Sequence, residues 1–163
     1  MKLSTLARST PRETAAWTLA TWLGSGLSPR APGTVGSFCT LPLAALGLGL
    51  GPTFLFLTAA VLFIAGVWAT GIVLRSQSDS DPGFVVIDET VGQLLTFVLV
   101  ASGGFSWYYL ICGFALFRFF DIAKVWPASY FDGQVHTAFG VMMDDVIAGM
   151  YAALVLFGFS FLF

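Results

Sequence analysis

The sequence predicts an all-α integral membrane protein, a helical bundle of about four to five short helices or hairpins with an interfacial N-terminal helix. Hydrophobic residues make up 57% of the 163-residue chain and charged residues only 10%, whereas soluble domains average about 25% charged residues. The apolar residues also form runs that glycine and proline interrupt. These features predict one membrane-embedded domain over residues 1–163, in which residues 1–16 form a flexible basic N-terminus.

The first predicted element is the interfacial helix. Lys2, Arg8 and Arg12 precede an apolar run, 15–23, that contains two tryptophans. Tryptophan favours the headgroup level of a bilayer, and basic residues favour an anionic cytoplasmic leaflet. The run is too short and too rich in tryptophan for a secretory signal. We therefore expect the N-terminus in the cytosol.

Five apolar segments follow, and a helix needs about 20 residues to cross a bilayer. Two of them reach or approach this length, namely 53–74 and 146–163. The other three are shorter, namely 38–50, 91–101 and 107–120. Gly51-Pro52 and Ser102-Gly103-Gly104 are natural breaks, where the chain turns back. The segments therefore predict two helical hairpins and a final helix.

Six of the nine acidic residues stand in four tight sites inside apolar sequence: Asp88-Glu89, Asp121, Asp132 and Asp144-Asp145. A charged side chain at the bilayer centre costs roughly 2.5–3.5 kcal/mol on insertion scales. Acids placed in this way therefore pair with a cation, bind a metal ion or line a wet cavity.

The order of the apolar segments brings the polar sites to one side of the membrane. Two segments separate the glycine-rich stretch 24–37 from Asp88, and two more separate Glu89 from Asp121. An even number of crossings returns the chain to the same face. Four cations fall on that face too, and the positive-inside rule makes it cytoplasmic: Arg30, Arg75, Arg118 and Lys124.

The stretch 24–37 is a candidate substrate-binding loop. Its glycines let backbone N–H groups approach a ligand, and its hydroxyls and one arginine offer further donors. The candidate substrate-binding side chains are Ser25, Ser28, Arg30, Thr34 and Ser37. The stretch is neither a Walker A loop nor a dinucleotide-binding fingerprint, and a purely structural turn is the alternative.

Two pairs of adjacent acids are candidate metal ligands: Asp88 with Glu89, and Asp144 with Asp145. Each pair is expected at the start of an apolar helix. Adjacent carboxylates repel each other unless a cation or proton lies between them, and hard oxygen ligands favour Mg²⁺ over zinc. For the first pair a helix N-cap is the alternative.

The single histidine and the two cysteines give no sign of another metal. His136 cannot form a zinc cluster alone, and it stands with Asp132 in a polar connector. Cys39 and Cys112 lie in apolar runs without metal-ligand spacing, as small buried hydrophobic residues do.

Arg118, Asp121 and Lys124 stand three residues apart at the end of an apolar segment, so they share one helical face. An internal ion pair explains part of this pattern. Two cations around one carboxylate still leave surplus positive charge, which a phosphate would take up. Pro127 ends the helix.

The four motifs, in this order, resemble the phosphatidylglycerophosphatase A family of bacterial membrane phosphatases. The similarity covers roughly residues 17–160. It depends on the stretch 24–37, the Asp88-Glu89 pair followed by Gly92, the Arg118-Asp121-Lys124 helix end, and the Asp144-Asp145 pair followed by Ala148-Gly149. One departure is visible, because this chain has Lys124-Val125-Trp126-Pro127 where the family usually reads Lys-Pro-Trp-Pro.

The resemblance implies a Mg²⁺-dependent enzyme that hydrolyses phosphatidylglycerophosphate to phosphatidylglycerol and phosphate in phospholipid biosynthesis. It implies a multi-pass protein of the bacterial inner membrane, in contact with membrane lipids, with its active site facing the cytoplasm. The family motifs put these residues at the site: Asp88, Glu89, Asp121, Asp144 and Asp145, with Arg118 and Lys124 beside them.

The residue types suggest a mechanism. Asp88, Glu89, Asp144 and Asp145 would hold Mg²⁺, and the catalytic Arg118 and Lys124 would hold phosphate oxygens. The third catalytic residue, Asp121, is a further ligand, a general base or a nucleophile. Direct attack of water is favoured, because the DxD pattern of aspartyl-phosphate phosphatases is absent.

Other functions fit less well. An ion or proton transporter would also carry intramembrane acids, but near the bilayer centre rather than at segment ends. A CDP-alcohol phosphatidyltransferase requires a continuation that does not follow Phe131-Asp132-Gly133, and histidine-dependent lipid phosphatases require two histidines. Nucleic acid is not an expected partner, because the cations are concentrated before the first apolar stretch and are sparse after it. The sequence carries no signal for an oligomeric state.

Overall fold

The computed structural model describes residues 10–77 and 82–161, which form an all-helical bundle without strands. The seven α-helices of this part of the chain are α1 (Pro11–Ala20), α2 (Pro32–Leu50), α3 (Pro52–Arg75), α4 (Ile87–Thr96), α5 (Trp107–Ala123), α6 (Ala128–Gln134) and α7 (Ala138–Ser160). The predicted helical membrane bundle is confirmed. Lys2, Arg8 and Phe163, which entered the sequence predictions, lie outside the described residues.

Three of these helices are long and apolar enough to cross a membrane, namely α2, α3 and α7. The predicted break between α2 and α3 is confirmed at Gly51, whose φ of 97° suits glycine, and Pro52 opens α3. The break after α4 is confirmed as well, with a short 3₁₀ turn over Ala101–Gly103.

Two helices begin earlier than the hydropathy of the sequence predicts. The predicted start of the second segment at residue 38 is wrong, because Pro32 opens α2 and residues 32–37 form its first turns. The predicted start of the last helix at residue 146 is also wrong, because α7 begins at Ala138. Thr137 caps it by accepting a hydrogen bond from the Gly140 N–H.

The early start of α7 changes the position of one acid pair. Asp144 and Asp145 lie within the second and third turns of α7, not before the helix. Both side chains are buried in the bundle. Hydropathy alone places such acids outside the helix, because it does not count the charged partners that stabilise them when they are buried.

Helix α4 is the centre of the bundle and packs against α2, α3, α5 and α7. With only 10 residues it is too short to cross a bilayer. A buried hydrogen bond of 3.1 Å joins the hydroxyl oxygens of Thr40 on α2 and Thr90 on α4. The other helices therefore hold the acidic N-terminus of α4 inside the protein.

The N-terminal helix α1 packs on α3. It begins with a capping box between Thr10 and Glu13, so residues 11–16 of the predicted flexible N-terminus are helical. Trp17 stacks on Phe84 with ring centroids 5.1 Å apart, and the Val86 N–H donates to the Ala20 carbonyl over 2.9 Å. These contacts fix the segment that leads into α4.

Candidate active site

Charged and polar side chains from five helices meet at one end of the bundle. They come from the N-terminal turns of α2, α4 and α7, from the C-terminal turn of α5, and from α6. The predicted convergence of the polar motifs is therefore present in the fold. The antiparallel course of successive helices produces it, because each hairpin returns the chain to the same end.

Two glycines explain how the acid pairs of α4 and α7 come together. A Cβ atom at Gly92 would lie 2.4 Å from the carbonyl oxygen of Asp145, and one at Gly149 would lie 2.4 Å from the carbonyl oxygen of Gly92. Only a hydrogen atom fits at these two positions, so the two backbones can touch. This close crossing sets the N-terminal turn of α4 beside Asp145.

Three carboxylates form a group that fits a hard metal ion. One oxygen each from Asp88, Glu89 and Asp145 lies within 4.8 Å of the others. Glu89 Oε2 and Asp145 Oδ1 are buried and have no hydrogen-bond partner among the described residues. Buried carboxylate oxygens without donors are costly, and oxygen ligands of this kind suit Mg²⁺.

The protonation of the α4 acids follows from their surroundings. Burial raises the pKa of Asp88 well above its ordinary value, and the adjacent charge of Glu89 raises it further. Burial also raises the pKa of Glu89 to about 8, with the carboxylates of Asp145 and Asp121 adding to the rise. Both acids therefore need a further positive partner to stay ionised near neutral pH.

Lys124 is the hub of a second set of acids. Its Nζ contacts Asp144 Oδ2 directly and lies 3.5 Å from Asp121 Oδ1, 3.6 Å from Asp132 Oδ1 and 3.8 Å from Asp145 Oδ1. Asp144, predicted as a metal ligand, thus lies outside the group of three and pairs with this lysine.

The backbone and the charge of Lys124 are both unusual. Its φ of 45° lies in the left-handed region, which a residue other than glycine adopts at a cost. This conformation ends α5 at Ala123. Burial alone would lower the pKa of Lys124, but the charges of Asp145, Asp144 and Asp121 outweigh burial and raise it. Lys124 therefore stays protonated.

Arg118 joins α5 to α2 and α4. Its Nη1 lies 2.5 Å from Asp121 Oδ2, donates to Ser37 Oγ over 3.3 Å and lies 3.9 Å from Glu89 Oε1. Its buried Nε–H finds no acceptor within the described part of the chain. Asp121 thus contacts both Arg118 and Lys124, although Lys124 lies just past the last residue of α5 rather than on its helical face.

The glycine-rich stretch reaches the site through its second half. A Cβ atom at Gly33 would lie 2.0 Å from Glu89 Oε1 and 3.3 Å from Arg118 Nη1, so the first turn of α2 rests directly on these charges. Ser37, one turn further, is buried and accepts the Arg118 hydrogen bond.

The other predicted substrate-binding residues precede Ser37 in the stretch. The Ser25 hydroxyl donates to the Thr21 carbonyl and the Ser28 hydroxyl donates to the Arg30 carbonyl, so both hydroxyls serve local turns. The Arg30 side chain is exposed, and Thr34 is half-buried in the first turn of α2. Of the five candidates, the structure joins Ser37 to the charged cluster by a hydrogen bond.

The fold brings two further polar residues into play, one that the sequence placed in a connector and one that sequence analysis missed. Asp132 lies on α6 rather than in a connector, and it faces Lys124. Gln93 is fully buried, and neither end of its amide has a hydrogen-bond partner in residues 10–77 and 82–161. Its spacing of four from Glu89 was the available signal, because residues i and i+4 share a helical face.

The family of the chain follows from comparison with known proteins. Residues 18–160 match the family described as phosphatidylglycerophosphatase A. Phosphatidylglycerophosphatase A of Haemophilus influenzae is 39% identical over 144 residues, which are 88% of this chain and 87% of that protein. Phosphatidylglycerophosphatase A of Escherichia coli is 36% identical over 140 residues, or 85% of this chain and 80% of that protein.

A third relative has a different name. A Bacteroides thetaiotaomicron protein, provisionally named a phosphatidylinositol-3-phosphatase, is 42% identical over 142 residues, or 82% of this chain and 86% of that protein. No solved structure matches the chain. The family match covers all four motifs of the charged cluster and the helices that carry them. The chain therefore belongs to the phosphatidylglycerophosphatase A family of phosphatase enzymes.

Proposed function

We propose that this protein hydrolyses phosphatidylglycerophosphate to phosphatidylglycerol and inorganic phosphate in a Mg²⁺-dependent reaction of phospholipid biosynthesis. Its two named phosphatidylglycerophosphatase relatives support the substrate. The observation that carries the proposal is the group formed by Asp88, Glu89 and Asp145, whose oxygens lie within 4.8 Å of one another beside two cationic side chains.

The charge of the site supports the need for a metal ion. Within the described chain, six carboxylates and two cations meet there, an excess of four negative charges if all are ionised. A phosphate monoester is itself an anion, so it would be repelled from this cluster. Mg²⁺ bound by Asp88, Glu89 and Asp145 would supply the positive charge that offsets phosphate and lowers the pKa of a water.

The chain's own residues would then hold the substrate and the water. Arg118, with its free Nε–H, donates to phosphate oxygens, and Ser37 fixes the guanidinium from the side of α2. Asp121 pairs with both Arg118, three residues before it, and Lys124, three residues after it. Because both cations engage this carboxylate, we assign it to orienting them rather than to nucleophilic attack.

Attack by water completes the reaction. The water oxygen bonds to phosphorus while the ester P–O bond breaks, and a proton passes to the departing glycerol oxygen. Lys124 remains protonated among four carboxylates and stabilises the negative charge of the phosphoryl oxygens. No phosphorylated enzyme is expected.

The same arrangement supports a location for the site. The lipid's acyl chains would stay in the bilayer while its headgroup reaches the charged end of the bundle. That end would face the cytoplasm of the bacterial inner membrane, because Arg75, Arg118 and Lys124 lie on it. The transporter alternative has no support from the relatives, which are named as phosphatases.

Phosphate release by the purified protein in detergent tests the proposed function. We expect Mg²⁺-dependent release from phosphatidylglycerophosphate, and much slower release from phosphatidate and from phosphatidylinositol 3-phosphate. Preference for the inositol lipid would instead assign this chain the substrate in the name of its Bacteroides relative. Absence of release from any of the three lipids by folded protein would refute the phosphatase proposal.

A further inference from the structure

An open apolar groove runs between α2 and α5. Its cavity volume is about 700 Å³, and its walls are almost entirely apolar. The lining residues that matter here are Phe38, Cys39 and Ala45 on α2 and Trp107, Ile111 and Phe114 on α5. Several of them face outward, since Phe38, Ile111 and Trp107 are 63%, 67% and 72% exposed. The catalytic proposal does not use this groove.

One end of the groove adjoins the charged cluster. Phe38 directly follows Ser37, and Phe114 precedes Arg118 by four residues, or one helical turn. The rings of Phe38 and Phe114 meet edge to face with centroids 6.3 Å apart, next to the Ser37–Arg118 hydrogen bond. The groove therefore begins about one turn from side chains proposed to hold phosphate.

The distance along α5 from Arg118 to the far end of the groove matches one membrane leaflet. The eleven-residue step from Trp107 to Arg118 on α5 spans about 16 Å at 1.5 Å per residue. The hydrocarbon core of a bilayer is about 30 Å thick, so one leaflet is about 15 Å deep. An acyl chain whose headgroup lies beside Arg118 would follow the groove as far as Trp107.

We propose that this groove binds one acyl chain of the phospholipid substrate, and this inference rests on the proposed function. An apolar chain needs no polar partner, and the nearly polar-free walls offer none. The acyl chain passes from the hydrocarbon of the bilayer into an equally apolar groove, so its burial there contributes little net binding affinity. The groove orients the lipid, so that the phosphate enters the cluster from the side of Ser37 and Arg118.

The test compares a long-chain and a short-chain substrate on a groove-filling variant. Ala45 is half-buried in the groove wall, so Ala45→Phe places a ring in the path of the acyl chain. We expect kcat/KM for dioleoyl phosphatidylglycerophosphate to fall about tenfold, because the phosphate loses its alignment. The dihexanoyl substrate, which is too short to follow the groove, should keep its kcat/KM.

A matched control uses the same substitution outside the groove. Ala115 is exposed on α5 and does not line the cavity, so Ala115→Phe should leave both substrates unchanged. An equal loss for both substrates in Ala45→Phe would overturn the groove assignment, and so would no loss. A change in the mass of the protein–detergent complex without selective kinetics would also overturn it and would mark a protein–protein interface.

Photochemical cross-linking gives a second measurement that does not depend on turnover. Phosphatidylglycerophosphate with a photoactivatable acyl chain should label groove residues such as Cys39 and Ile111. Unlabelled dioleoyl substrate should prevent the labelling, and glycerol phosphate should not. A wild-type protein that is inactive on both the dioleoyl and the dihexanoyl substrate would refute the proposed function. The labelling alone would then decide whether the groove binds an acyl chain.

Discussion

Glu89 and Asp145 differ from the other acids of the site in how their oxygens are satisfied. Asp121 and Asp144 each contact a cation closely, whereas Glu89 and Asp145 have a cation only at 3.9 and 3.8 Å, and Glu89 Oε2 and Asp145 Oδ1 accept no hydrogen bond from the described residues. The acids therefore divide into two sets. One set positions Arg118 or Lys124, and the other has oxygens left to bind a ligand. Sequence alone assigned all four paired acids the same role.

Replacing Lys124 separates these two sets. Lys124→Met leaves Asp144 unpaired, so we expect a loss of about 3 kcal/mol in unfolding free energy. We also expect kcat to fall about 100-fold, as for other lost charge-stabilising donors. The Mg²⁺ concentration at half-maximal rate should not rise, because the three proposed ligands stay. A large rise would make Lys124 part of metal binding.

Gly33 tests the contact between α2 and the acids of α4. Gly33→Ala puts a Cβ where Glu89 Oε1 lies, and this flexible carboxylate end can move away. We expect a rate loss of tenfold or more, because displacements near 1 Å at a reacting centre are costly, with little change in thermal midpoint. The control is Gly49→Ala on the same helix, where a Cβ meets no described atom within 4 Å. Equal rates in both variants would contradict the account.

At the scale of the helices, the close crossing of α4 and α7 assembles the site. Sequence could predict that Gly92 and Gly149 follow the two acid pairs, but not that they face each other, because that depends on the register between distant helices. Hydropathy likewise placed the start of α7 eight residues late, at residue 146, since buried acids lower the local mean. The helix order and most breaks were predictable because glycine and proline act locally.

The crossing predicts a structural effect of a single methyl group. Gly92→Ala forces a Cβ against the Asp145 carbonyl at 2.4 Å and the Phe117 ring at 2.5 Å. We expect a loss of about 1–3 kcal/mol, typical of overpacking, seen as a lower thermal midpoint in detergent. Gly71→Ala is the control, because its nearest contact is 3.7 Å and the helix gains from alanine. A neutral Gly92→Ala would contradict the close crossing.

The whole molecule combines three helices that are long and apolar enough to span a membrane with the shorter pair α4 and α5. The hairpins α2–α3 and α4–α5 both return to the charged end, and α7 then leads away from it. We therefore expect a reporter placed before Pro11 to lie in the cytoplasm, and one placed after Ser160 to lie on the other side. Accessibility of both reporters from one side would contradict this topology.

The central claim is that Asp145, with Asp88 and Glu89, holds the metal ion on which phosphate release depends. The most direct measurement is release from phosphatidylglycerophosphate with Mg²⁺ or EDTA, comparing wild type, Asp145→Asn and the control Asp132→Asn at the exposed edge of the cluster. We predict that EDTA stops the wild type, that Asp145→Asn loses about 100-fold or more in rate, and that Asp132→Asn keeps most of it. Undiminished release in EDTA, or by folded Asp145→Asn, would contradict the account.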